Sequence, residues 1–292
     1  MKTVAIYTSQ PYKQYYIEIQ RIVEMLLDFD KEVYIPENLS DNIIPYIKDK
    51  ENINFYNIKN KLSQNIDLFM IIGGDGTFLE GVHIVQDTNI PIIGINTGRL
   101  GFLTSINLQD IKKILTEIFL GNFSIQKRSL LKLDADNSFD GFNYALNEFT
   151  IHKSDTSSML TIEVNINNEY VNSYWADGII IATPTGSTAY SLSAGGPILH
   201  PAANSFIITP IAVHNLNVRP LVVPDDAIIT LKATGRSEKC LISLDHRFLS
   251  VPVNSKFQIN KASFSINFLH CLSYNFYNTL RSKLLWGADN RN

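Results

Sequence analysis

Residues 68–80 read Leu68-Phe69-Met70-Ile71-Ile72-Gly73-Gly74-Asp75-Gly76-Thr77-Phe78-Leu79-Glu80. Five consecutive apolar residues ending on paired glycines have the form of a central parallel strand covered on both faces. A helical pattern follows from Phe78. Thr77 and Glu80 give the Thr-x-x-Glu pattern of a capping box, which predicts a helix start there. In an open parallel sheet, ligands bind outside the carboxyl ends of the strands, where a turn of this kind lies.

The flanking sequence repeats the alternation of strand and helix. Val4 to Tyr7 and Lys31 to Ile35 read as strands, with a helix from Tyr15 to Phe29 between them. Ile90 to Ile95 is another continuous apolar run. Leu108 to Leu120 carries Ile111, Ile114, Leu115 and Ile118 on one helical face before Gly121-Asn122 stops it. After Gly121 the texture changes to short strands: 130–134, 142–151, 159–166, 170–175, 206–213, 227–233, 240–244, 248–253 and 264–269. Asn167-Asn168 forms a hairpin turn between two of them. The segment from Tyr274 to Trp286 turns helical again. The expected architecture is an α/β domain over residues 1–122 with an open, mostly parallel sheet. A mostly antiparallel β domain over 123–272 follows, and a C-terminal helix over 273–292 returns to pack on the first domain.

Composition narrows the function classes. The chain has 292 residues, 45% hydrophobic and 18% charged, with a net charge of −3. That is ordinary globular composition and excludes wholesale disorder. An acidic balance argues against a nucleic-acid partner. Cys240 and Cys271 are too few for a disulfide framework, and no Cys/His spacing suggests zinc. His83 falls on the helix after the glycine turn and reads as packing. His152 and His214 are singletons, so no protein-built metal site is expected. The N-terminus lacks the apolar core of a signal peptide, and no apolar run reaches membrane-spanning length. No membrane partner and a cytoplasmic location are the expectation.

The turn itself points to phosphate chemistry. Three glycines in four positions leave no side chains in the way of a phosphate, and the N–H groups of such a turn and of a helix start favour an anion. Gly73, Gly74, Gly76 and Thr77 are therefore candidate phosphate contacts. Asp75 is the oddity, because a carboxylate beside a phosphate is unfavourable unless it accepts a proton from a hydroxyl nucleophile or holds a cation. A tight turn closed by an Asx hydrogen bond is the bland alternative. The P-loop pattern is absent, and Leu79 stands where a dinucleotide fingerprint needs its third glycine. Thr185-Gly186-Ser187-Thr188, between the apolar strand 178–182 and a short helix, is a second place where N–H groups could meet an anion. Asn147 offers a donor and an acceptor, Glu148 an acceptor, and Tyr190 a ring that either stacks on a base or fills the core.

Gly73–Thr77 resembles a kinase superfamily that includes the NAD kinases, the diacylglycerol and sphingosine kinases and, more distantly, the 6-phosphofructokinases. Asn96-Thr97-Gly98-Arg99-Leu100-Gly101-Phe102-Leu103-Thr104, the pair Asn147-Glu148 and the block from Asp177 to Pro197 are similar to the corresponding segments of NAD kinases. The resemblance implies transfer of the γ-phosphoryl of ATP, with a divalent cation such as Mg²⁺, to the 2′-hydroxyl of the adenosine ribose of NAD. It implies that Asp75 is the catalytic base, with Gly76 beside it. It places Asn147 and Glu148 at the adenosine end of NAD, with Asp177, Thr188, Ala189, Tyr190, Ser191, Leu192 and Ser193 lining the dinucleotide site. Ala212 and the region of Asp245 and Arg247 would complete that site, partly from a neighbouring subunit of a homotetramer. His246 and Arg247 depart from the common pattern, as an added cation for a phosphate or as a discriminator between NAD⁺ and NADH. A dinucleotide sensor and a lipid kinase are the competing readings. The intact Asp75 argues against the first, and 177–197 has no account under the second.

Overall fold

The computed structural model describes residues 1–9, 15–47, 50–98, 100–135, 139, 141–155, 159–273 and 275–285. The chain divides into two compact units, Met1–Lys127 with Ile266–Asn292, and Arg128–Ser265.

The first unit begins β1 (Thr3–Tyr7), α1 (Tyr16–Asp28), β2 (Glu32–Pro36), a short α2 (Ser40–Ile43) and β3 (Ile53–Tyr56). It continues β4 (Leu68–Ile72), α3 (Asp75–Val85), β5 (Ile92–Asn96), β6 (Ile106–Asn107) and α4 (Ile111–Phe119). The sheet runs β3-β2-β1-β4-β5, every pair parallel. All five residues of β1, β4 and β5 are buried, as an apolar strand covered on both faces requires. The chain builds outward from β1 to β3, then crosses to β4 on the other side of β1. That reversal is the topological switch point, and the glycine turn leaves the sheet there. On α1, Ile19, Ile22, Val23 and Leu26 line one stripe, and on α4 Ile111, Ile114, Leu115 and Ile118 do the same.

The strand β7 (Phe123–Ala135) runs from the first unit into the second, where it pairs with β8 (Tyr144–Ala145). Next come β9 (Glu148–Lys153), β10 (Leu160–Ile166), β11 (Glu169–Ala176), β12 (Gly178–Ala182), a 3₁₀ turn at Gly186–Thr188 and α5 (Tyr190–Ser193). The strands β13 (Ser205–Ile211), β14 (Leu221–Pro224), β15 (Ile229–Thr234), β16 (Lys239–Leu244) and β17 (Arg247–Pro252) complete it. One antiparallel sheet runs β14-β13-β12-β9-β16-β17. A second has the order β11-β10-β15-β18, where β18 spans Lys256–Cys271. Phe149, Ile151, Ile181 and Ile242 from the first sheet and Ile162, Leu231 and Phe257 from the second form one dry core. The last residues of β18 belong to the first unit, where Phe268 pairs parallel with Ile92 of β5. α6 (Phe276–Leu284) also belongs there and sets the Lys283 ammonium 5.1 Å from the Phe102 ring centroid. The sequence reading ends that helix at Trp286, which lies outside the described residues.

Four local readings are corrected. Helix α3 starts at Asp75, three residues before Phe78, and no capping box forms. Gly74 is the N-cap without a side-chain bond, Thr77 Oγ1 pairs with Ser9 Oγ at 2.9 Å, and Glu80 accepts from Tyr7 Oη at 2.9 Å. Glu80 is drawn to strand β1 and Thr77 to Ser9 just after it. The strand expected over 142–151 is broken between Ala145 and Glu148, because the amides there are bonded to a carboxylate instead of a neighbouring strand. β18 runs sixteen residues, not six, since its polar residues occupy an exposed face. β3, β6 and β14 had no clear signal in the sequence.

The Asn167-Asn168 turn forms as expected, with φ of 50° and 68°, the left-handed pair that a two-residue hairpin needs. Asn168→Val places a β-branched residue in that region and costs about 1–2 kcal/mol in urea unfolding, whereas Asn168→Gly is neutral or stabilising.

Candidate active site

The site residues read from the sequence fall into two clusters, one in each unit. In the first, Gly73 closes the strand ladder by donating its N–H to the Ile95 carbonyl at 2.9 Å. A Cβ on Gly73 would strike Thr77 Oγ1 at 2.7 Å, so the turn closes only with glycine. Gly74 and Gly76 are exposed, with open space where a side chain would stand. The first amides of α3 therefore face free space at the positive end of an eleven-residue helix.

Asp75 does not point into that space alone. Its Oδ1 accepts from the Leu103 amide (3.1 Å), the Thr104 amide (2.9 Å) and Thr104 Oγ1 (3.0 Å), and its Oδ2 from the Phe102 amide (2.9 Å). The bland Asx-turn reading is thus replaced by a long-range clamp on the loop after β5. Gly101 lies so close that a Cβ would overlap the Asp75 carboxylate. Oδ2, with one donor, keeps a lone pair available.

In the second unit another carboxylate does the same. Asp245 sits at the β16–β17 turn with φ of 53° and accepts from the amides of Leu146 (2.9 Å), Asn147 (2.7 Å) and Glu148 (3.1 Å). From the other side, Thr183 donates its Oγ1 to the Leu146 carbonyl (2.6 Å) and its N–H to the Asn147 carbonyl (2.9 Å). Gly186 packs on Asn147 O with no room for a Cβ. The backbone of Asn147-Glu148 is held on both sides, yet its side chains are unfinished. Asn147 and Glu148 are each 8% exposed, and Asn147 Oδ1 and Glu148 Oε2 are buried without a hydrogen-bond partner. Orphaned buried acceptors of this kind are rare and mark a place where a donor is expected to arrive. Burial, then the nearby Asp245 carboxylate, pushes the Glu148 carboxyl up to about 8, opposed by the Tyr190 amide that it accepts from.

The remaining predicted residues take different positions. Tyr190 is 38% exposed and stacks on His152, with ring centroids 5.5 Å apart and 11° between planes. Its ring is neither core nor free: one face is taken and the other is open to a planar partner. Asp177 pairs with Lys153 at 2.6 Å. Ser193 is exposed, Ala189 and Leu192 are half-buried, and Thr188 turns its hydroxyl back to the Thr185 carbonyl at 3.2 Å. Ser191 is buried against Thr209 Oγ1 at 2.9 Å, so its hydroxyl faces the interior. Ala212 is exposed and left-handed, with φ of 46°. The amides of Gly186, Ser187 and Ala189 bond within the turn, so they do not form the second anion cradle expected at Thr185–Thr188.

Asp245 and Arg247 both hold backbone. All of the Asp245 acceptor bonds go to backbone, so it positions Asn147-Glu148. The Arg247 guanidinium donates to the Phe142 and Tyr144 carbonyls and lies 5.4 and 5.5 Å from the Phe139 and Phe142 ring centroids. It clamps the residues before Asn147. His246, beside it, is exposed. Thr183 and Gly101 had no assigned role in the sequence reading, and Gly186 was read only as part of an anion-binding turn. Among the described residues no group of three His, Cys, Asp or Glu is placed to hold a metal, and no helix is long and apolar enough to cross a membrane.

Comparison with known proteins identifies the architecture. Residues 13–123 match the ATP-NAD kinase N-terminal domain, and residues 146–271 match the ATP-NAD kinase C-terminal domain. The chain belongs to the NAD kinase family. An NAD kinase of Cytophaga hutchinsonii is 49% identical over 227 residues, 77% of this chain and 78% of that one. One from Porphyromonas gingivalis is 38% identical over 292 residues and 99% of both. Among solved structures, yeast NADH kinase complexed with NADH aligns with a TM-score of 0.86 at 23% identity, covering 99% of this chain and 89% of that one. An Archaeoglobus fulgidus NAD kinase in complex with ATP aligns at 0.73 and 24% identity, covering 97% of both. At that identity they establish the shared fold: a parallel N-terminal unit and an antiparallel C-terminal one. Membership in the NAD kinase family makes the chain a kinase.

The raised Glu148 carboxyl has a consequence for stability. The folded state holds this proton up to about pH 8, while an unfolded glutamate releases it near 4.5. Its contribution is fully present below pH 4.5 and is lost as pH rises towards 8. Urea unfolding across this window is expected to fall by up to about 1.4 kcal/mol per pH unit from this group. Glu148→Gln is expected to remove that part of the slope.

Proposed function

We propose that this chain phosphorylates NAD at the 2′-hydroxyl of its adenosine ribose with ATP, giving NADP, and that Asp75 is the general base. The observation that carries the reading is the pair of buried, unpartnered side-chain oxygens, Asn147 Oδ1 and Glu148 Oε2, held on a rigid backbone. An adenosine supplies partners for both, an exocyclic amine that donates and ribose hydroxyls that donate or accept. Tyr190 offers the open face of a stacked ring to a base.

The open start of α3, with Gly74 and Gly76 lacking side chains, fits a phosphate chain of ATP. Asp75 Oδ2 takes the proton of the 2′-hydroxyl while that oxygen bonds to the γ-phosphorus. The bond to the bridging oxygen breaks, and ADP leaves with its electron pair. A divalent cation such as Mg²⁺ arrives with ATP and offsets charge on its phosphates. No acidic cage in the described residues competes for it. The yeast and archaeal relatives crystallised with NADH and with ATP support both ligands for this chain.

The family resemblance supports a homotetramer in the cytoplasm. Leu216, 85% exposed, and Phe248, 76% exposed, are large apolar side chains of the second unit suited to burial against another copy. Light scattering at micromolar concentration is expected to give four copies. A monomer would contradict a shared site.

Purified protein with ATP, Mg²⁺ and NAD is expected to form NADP. Asp75→Asn, which keeps Oδ1 for the Leu103 and Thr104 amides but loses the basic oxygen and the acceptor of the Phe102 amide, is expected to lose about 10²–10⁴-fold in kcat while remaining folded. Folded protein that binds NAD without making NADP would favour a sensor, and phosphorylation of a lipid alcohol instead would favour a lipid kinase.

A further inference from the structure

Asn96, at the end of β5, is 3% exposed, and Thr104 is fully buried. Asn96 Oδ1 accepts from the Gly98 amide at 2.8 Å, which fixes which end of the side-chain amide is oxygen. Its Nδ2 therefore donates to Thr104 Oγ1 at 3.1 Å. An amide nitrogen can only donate, so the threonine hydroxyl spends its own proton on the next acceptor, Asp75 Oδ1 at 3.0 Å. The direction of the chain is set at every link: Asn96 to Thr104 to carboxylate.

We propose that Asn96 and Thr104 are positioning residues for phosphoryl transfer, saturating Asp75 Oδ1 so that Oδ2 is the oxygen that takes the proton. Oδ1 already has three donors, two amides and this hydroxyl, while Oδ2 has one. A proton arriving at Oδ1 would have to displace a donor. A proton arriving at Oδ2 meets an open lone pair. The relay also fixes the rotation of the carboxyl group, which decides where that lone pair points. A misplacement of about 1 Å costs on the order of a hundredfold in rate. In sequence the hydroxyl is one threonine after Gly101-Phe102-Leu103; its service to Asp75 is visible only in the fold.

The inference rests on Asp75 being the base, and steady-state kinetics of NADP formation separate the two. Thr104→Val keeps the shape and removes the hydroxyl. It is expected to lower kcat about ten- to a hundredfold while the KM values for NAD and ATP stay within about twofold. Thr104→Ser restores the hydroxyl and is expected to recover most of kcat. If the valine variant does not fold, Thr104→Ala carries the same expectation. A wild-type kcat in the hydroxyl-free variant, a loss that serine does not restore, or a loss lying in KM overturns the positioning role. If Asp75→Asn itself turns over near the wild-type rate, the base assignment fails first, whatever Thr104 does.

Discussion

A carboxylate that accepts several consecutive backbone amides is the interaction on which both candidate clusters depend. Asp75 holds the amides of Phe102, Leu103 and Thr104, and Asp245 holds those of Leu146, Asn147 and Glu148. Each such charge-assisted bond is worth roughly 1.5–3 kcal/mol, and leaving those amides unpaired would cost a comparable amount. Asp245 serves as scaffold for the Asn147-Glu148 backbone. Asp75 retains one acceptor position and so can serve as both scaffold and reagent.

This arrangement places functional side chains through the backbone and not through contacts of their own. Asn147 and Glu148 illustrate the gain. Their main chain is bonded to Asp245 on one side and Thr183 on the other, and their side-chain oxygens can stay unpaired in a buried place without the loop collapsing on them. The cost is steric: backbone must approach carboxylate or carbonyl at a distance that no Cβ permits. Gly101 against Asp75 and Gly186 against Asn147 meet that demand. Arg247 adds the last restraint, joining two carbonyls of the preceding residues between two aromatic rings.

Much of the fold was legible because its signals are local. Leu68–Ile72 is a five-residue apolar run and emerges as a fully buried strand with the same limits. The helical stripes of α1 and α4 and the Asn-Asn hairpin follow from periodicity and from the tolerance of asparagine for positive φ. What failed was decided by partners far away in sequence. The capping box was lost because Thr77 and Glu80 are claimed by Ser9 and Tyr7, some seventy residues upstream. The strand over 142–151 was broken by Asp245, about a hundred residues on. Arg247 reads in sequence as a spare cation for a phosphate, and only the fold reveals that two carbonyls and two rings engage it. The glycine turn and Asp75 stood out by their chemistry, and the candidate residues of the second unit were assigned through a resemblance. Their supports were not, since a threonine or glycine that holds a catalytic group carries no chemical mark of its own.

A crystal structure of the protein with NAD bound tests the central claim most directly. The account predicts the adenosine 2′-oxygen within hydrogen-bond distance of Asp75 Oδ2, about 3 Å or bridged by a single water, with Oδ1 still bonded to Thr104. A 2′-oxygen beyond the reach of one water, or a carboxylate turned so that Oδ1 faces the ribose, would contradict it.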